Sequence, residues 1–122
     1  MSLPVMEADV TAGFHTVCEL DEIWEGEVAE FEVAGHDVLI VHRLGGEVVA
    51  LQALCPHQDI SLAEGGFENG VITCRAHLWQ FDSRTGAGLN PTDCHLVRYP
   101  VRVEDGKVQV SVDGITPFRV GA

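Results

Sequence analysis

Two short clusters of cysteine and histidine constrain this 122-residue chain more than any other feature. The first is Cys55-Pro56-His57 and the second is Cys74-Arg75-Ala76-His77, with residues 58–73 between them. Each cluster pairs one thiol with one imidazole. Those side chains bind soft and borderline transition metals, so a metal centre is the first reading. A chain built round such a centre must bring two loops together, and both loops need a scaffold.

The remaining sequence reads as that scaffold. Phe14 to Cys18 has strand character, and Glu19 to Trp24 reads as one turn of helix. From Val28 to Val33 the pattern alternates, with Ala29, Phe31 and Val33 on one face and Glu30 and Glu32 on the other. That is the period-two signature of a half-buried strand. Val38-Leu39-Ile40-Val41 is an apolar run of strand length, and Gly45-Gly46 turns the chain into Glu47 to Leu51. Asn69-Gly70 is a strong hairpin signal and leads into Val71-Ile72-Thr73, immediately before Cys74. Gln80 to Asp82 follows the second cluster, and Leu89-Asn90-Pro91 opens a third loop. Val97 to Val103 and Lys107 to Val112 read as a strand pair about Glu104-Asp105-Gly106, and Asp113 to Ala122 as a tail. Short strands, frequent turns and little helical periodicity predict an all-β fold, a sandwich or small barrel. Residues 13–122 are expected to form a single domain. Residues 1–12 are an extension, and residues from about 52 to 91 a smaller unit inserted between strands.

Nineteen acidic and seven basic residues give a net charge of −12. That balance disfavours nucleic acid and anionic membrane surfaces as partners, and suits a carrier steered onto a basic patch of another protein. No apolar run reaches the roughly 18 residues of a membrane span. Met1 to Glu7 lacks the basic and apolar regions of an export signal, so a cytoplasmic protein is expected. The four cysteines are Cys18, Cys55, Cys74 and Cys94. With histidine beside Cys55 and Cys74, ligation explains those two better than disulfides do. Cys94 and His95 are read as packing or loop residues, and His15, His36 and His42 as surface residues. Neither a Gly-rich phosphate loop nor a nucleophile beside a base is recognisable, which argues for a carrier rather than an enzyme.

Three assignments fit the clusters. A structural zinc would take two thiolates and two imidazoles, and would make this a zinc-stabilised binding module, although its usual spacing groups the cysteines apart from the histidines. A 2Fe–2S cluster with two Cys on one iron and two His on the other suits mixed loops, since each loop can give one ligand to each iron. The third assignment leaves the cysteines as small buried hydrophobes and the histidines on the surface.

Cys55-Pro56-His57, Cys74-Arg75-Ala76-His77, Trp79, Phe81-Asp82 and Thr85-Gly86 resemble the Rieske-type ferredoxins. Cys55-Pro56-His57-Gln58, Gly70 to Trp79, Leu89 to Cys94 and Tyr99-Pro100-Val101 extend the likeness to the ferredoxin component of toluene monooxygenases. Leu78 stands where many Rieske proteins have Gly, as it does in the monooxygenase-type sequences. The resemblance implies a Rieske fold with a small cluster-binding subdomain and one 2Fe–2S cluster. Cys55 and Cys74 would hold the inner iron, and His57 and His77 the outer one. It further implies one-electron delivery from an NADH-dependent flavin reductase to the di-iron hydroxylase of an aromatic or hydrocarbon monooxygenase. A ring-hydroxylating dioxygenase ferredoxin is the nearest alternative. Gln58 and Trp79 become candidate partner contacts. High-potential members of the family carry an extra disulfide and hydroxyl donors at positions that here hold Ile60, Ala76, Trp79 and Phe81. Fewer hydrogen bonds to the sulfurs imply a potential near roughly −150 mV rather than +300 mV.

Overall fold

The computed structural model describes residues 13–57, 60–76 and 78–119. The expected extension at residues 1–12 lies outside them, as do Gln58 and His77. Among the described residues the fold is all-β, with three antiparallel sheets. The first sheet has the order β1 (Phe14–Glu19), β11 (Lys107–Ser111), β10 (Val101–Glu104). The second has β2 (Glu27–Val33), β3 (His36–His42), β4 (Val48–Gln52) and β9 (Arg98–Tyr99). The third has β5 (Gly66–Glu68), β6 (Val71–Thr73), β7 (Gln80–Asp82) and β8 (Gly88–Asn90). The helical turn expected after Cys18 is a single 3-10 turn, Leu20–Glu22.

The second sheet is the middle layer, which explains the unbroken apolar run in β3. Val38 and Ile40 face a core shared with Val108 and Val110 of the first sheet. Leu39 and Val41 face a second core, shared with Ile72 and Phe81 of the third and with Cys74 just beyond β6. All of these side chains are fully buried apart from traces of exposure at Ile72. A strand covered on both faces shows no polar alternation. Each such aliphatic side chain contributes about 1.5–3 kcal/mol relative to exposure. β2 divides its residues in the same way: Val33, Ala29 and Phe31 join the first core as the alternation predicts, while Val28 packs against the second.

Four features differ from the sequence reading. The strand expected over Val97 to Val103 is two, β9 and β10, which break at Pro100 and join different sheets. Proline has no N–H to give a ladder, so the chain changes sheets there. β8 is a strand where the sequence reads as a loop; three residues of mixed polarity carry no readable period. His42 is buried rather than exposed, and its Nδ1 donates to the Ile23 carbonyl at 2.7 Å. The tail is partly secured. Buried Gln52 accepts from the Phe118 and Val97 N–H groups at 2.9 Å each, and donates to the Leu54 and Phe118 carbonyls at 3.0 Å each. That one side chain ties the residues before the first cysteine to the end of the described chain.

Candidate metal centre

The first ligand loop leaves β4 and returns on itself. Cys55 N–H donates to the Ile60 carbonyl at 2.9 Å, Leu62 N–H donates to Ala53 at 2.7 Å, and Leu54 bridges to Ser61. The Ser61 hydroxyl accepts from Ala63 N–H at 3.1 Å, capping the 3-10 turn Leu62–Glu64, and also donates to Glu30 on β2. Gly65 then lies against the second loop. A Cβ built there would sit 1.9 Å from the Thr73 carbonyl oxygen, so only glycine lets the first loop approach the residue before Cys74.

The second loop is delivered by the β5–β6 hairpin that Asn69-Gly70 predicts. It closes between Cys74 and Trp79: Cys74 N–H donates to the Trp79 carbonyl at 2.7 Å, and Leu78 N–H donates to the Cys74 carbonyl at 3.0 Å. A third loop follows the cis Asn90–Pro91 bond and is tied back to β8, with Gly88 N–H donating to the Cys94 carbonyl at 3.0 Å.

These two ligand loops bring Cys55, His57 and Cys74 together, with one ligand atom from each residue within 4.8 Å of the others. Cys55 Sγ and His57 Nδ1 are 3.0 Å apart. Both thiols belong to the second core, at 2% and 0% exposure, while His57 is half-buried. Trp79 is half-buried too; it packs on that core and stacks on the His57 imidazole, with ring centroids 4.3 Å apart and planes at 24°. It is thus a core residue and a neighbour of a candidate ligand at once. Two deeply buried thiols facing an imidazole suit a centre that needs anionic sulfur inside and nitrogen toward the surface. His77, the fourth expected ligand, and Gln58 lie outside the described residues.

Cys94 is a buried member of the second core, and burial followed by Asp93 pushes its thiol above the ordinary range. His95 is exposed and tilts over Phe118 at 4.3 Å. Glu64 pairs with Arg75 across the two loops at 2.8 Å; both are well exposed, so the pair adds at most about 1 kcal/mol. Asp82 accepts from Arg84 N–H at 2.8 Å. Gln52 and Gly65 also shape the site. No local pattern marks either, because each acts across the fold.

The Rieske 2Fe–2S domain family matches residues 13–100, well over half of the chain. The chain belongs to that family. It is 42% identical over 98 residues to the ferredoxin component of the alkene monooxygenase system of Xanthobacter autotrophicus, covering 80% of each chain. Among solved structures, the ferredoxin of carbazole 1,9a-dioxygenase from Nocardioides aromaticivorans superposes with a TM-score of 0.74 at 33% identity, covering 80% of this chain and 96% of that one. A chain from a complex of reduced oxygenase and oxidised ferredoxin in carbazole 1,9a-dioxygenase also gives 0.74, at 27% identity, covering 81% and 93%. The cofactor is therefore a Rieske-type 2Fe–2S cluster, which sets the zinc assignment aside, and the role is electron transfer rather than catalysis.

Proposed function

We propose that Cys55, His57, Cys74 and His77 hold one 2Fe–2S cluster, and that the chain passes single electrons from an NADH-dependent flavin reductase to the di-iron hydroxylase of a multicomponent aromatic or hydrocarbon monooxygenase. The observation that carries the ligand reading is the convergence of Cys55, His57 and Cys74 from two loops. His77 follows from its place in the second cluster. When bound, the cluster supplies a one-electron couple. The chain supplies the rest. The two cysteines fix the loops to the buried core. Trp79 holds the His57 ring by stacking and covers one of its faces. Gln52 anchors the base of the first loop.

Residues 13–122 act as one domain in this reading, with the cluster-binding unit at about 52–91. An NADH-linked supply argues for a cytoplasmic carrier. The fully buried Phe81 side chain offers no hydrogen-bond donor, in keeping with a potential near roughly −150 mV. The monooxygenase reading rests on the alkene monooxygenase relative. The likeness to a carbazole dioxygenase ferredoxin favours a second reading, service to a ring-hydroxylating dioxygenase. Reconstitution separates the two: the protein, a flavin reductase and NADH are combined with a purified di-iron hydroxylase or with a dioxygenase, and product is measured. Turnover with the hydroxylase supports the first reading. Turnover with the dioxygenase alone overturns it.

A further inference from the structure

Among the described residues, three loops close with the same pair of hydrogen bonds. In each, the first residue's carbonyl accepts from the penultimate residue, and its N–H donates to the last residue's carbonyl. Arg43 to Glu47 does so at 3.0 and 2.8 Å, Asp82 to Ala87 at 2.8 and 2.9 Å, and Cys74 to Trp79 at 3.0 and 2.7 Å. This is the bulged turn whose penultimate position takes a positive φ and favours glycine. The first two loops comply, with Gly46 at φ 99° and Gly86 at φ 84°. The ligand-bearing loop has Leu78 at φ 58°. The other described non-glycine residues with positive φ are Ala34, Asn69 and Asp105, all smaller, two of them types that tolerate this region.

Burial in the free protein does not offset that backbone cost. The Leu78 residue is 67% exposed, so its apolar side chain returns little packing. A strained position held by surrounding structure points to a use elsewhere. Leu44 is equally exposed, at 76%, but lies beside Gly26 on a loop that carries no candidate ligand. Leu78 sits between the expected ligand His77 and Trp79, whose ring stacks on His57.

We propose that Leu78 is a docking residue, an apolar knob beside the cluster that inserts into an apolar socket on the oxygenase component. The proposal rests on the oxygenase-partner reading above. The oxygenase is preferred to the reductase because a structurally similar ferredoxin system is known in complex with its oxygenase. Removal of Leu78 then weakens partner affinity without loosening the cluster. Glycine and asparagine both suit the positive φ, so neither replacement threatens the loop.

The test uses cluster-loaded full-length protein as wild type, Leu78→Gly, Leu78→Asn and, as a control of similar exposure, Leu44→Ala. The probes are the purified oxygenase component of the Xanthobacter alkene monooxygenase system and a purified flavin reductase. Kd, midpoint potential, iron content and Tm are measured. Both Leu78 variants should keep wild-type potential and iron content, hold a Tm at or above the wild-type value as the backbone cost is relieved, and raise the oxygenase Kd about five- to tenfold, with Leu44→Ala unchanged in Kd. An unchanged oxygenase Kd in both Leu78 variants overturns the docking role while leaving the carrier reading intact. So does a rise confined to the reductase, which moves the contact to that partner, or a fall in iron content, which makes Leu78 structural. Wild-type protein that does not bind the oxygenase overturns the partner reading and the docking role with it.

Discussion

The two cores share β3 and β4 but use their cysteines differently. In the core against β1, β10 and β11, Cys18 packs among Val33, Ile40 and Val108. Its thiol is pushed up to about 11, chiefly by burial and then by Glu22 and Glu19. It is a small hydrophobe held neutral. In the core against β5–β8, Cys55 and Cys74 are at least as buried but face each other and the His57 imidazole. Burial alone therefore does not make a site. Convergence of a second thiol and an imidazole does, and it requires turns. The first core is framed by β1, β2, β3 and β11, strands of five to seven residues, whereas the strands of the third sheet have three residues each, joined by loops.

Disrupting the second core should show the largest effect. Cys74→Ser is expected to abolish cluster assembly, with iron and acid-labile sulfide per chain falling close to zero by chemical analysis. Retention of the wild-type content would mean that Cys74 is a packing residue like Cys18. Damage to the first core should have the opposite signature. Ile40→Ala removes a fully buried side chain that faces away from the metal centre, and should cost about 2–5 kcal/mol in urea denaturation. Iron per folded chain should stay at the wild-type value. A proportional loss of iron would show that the two cores are not separable.

The smallest expected effect concerns Cys18 itself. Well below pH 9 its thiol is neutral in both folded and unfolded chains. Between 9 and about 11 the unfolded chain ionises first, so stability falls as pH rises through that window. Cys18→Ala should flatten the decline, read from urea midpoints at about pH 8 and about pH 10.5. An unaltered slope would assign the decline to other groups.

Much of this contrast is legible in the sequence, though unevenly. Alternation and Gly-containing turns mark β2, β3, β4 and the β5–β6 hairpin, because their residues obey local rules. The ligand spacing marks Cys55, His57 and Cys74 for the same reason. What escapes local reading depends on distant partners. His42 is buried because Ile23, nineteen positions earlier, offers a carbonyl. Gln52 secures Phe118 across sixty-six positions. Gly65 is required by the Thr73 carbonyl. The break at Pro100 is local, since the missing N–H is a property of the residue itself. In the sequence, Leu78 shows only as a departure from an expected glycine. Its positive φ and its exposure turn that departure into a physical question.

The most direct test of the central claim is electron-nuclear resonance on the reduced protein, with histidine labelled by nitrogen-15, alongside iron and sulfide analysis. Mixed Cys/His ligation predicts two irons and two acid-labile sulfides per chain, and coupling from two histidine nitrogens. That coupling should be lost in part in His57→Cys and in part in His77→Cys. One zinc without sulfide, or a cluster with no histidine coupling, would contradict the account.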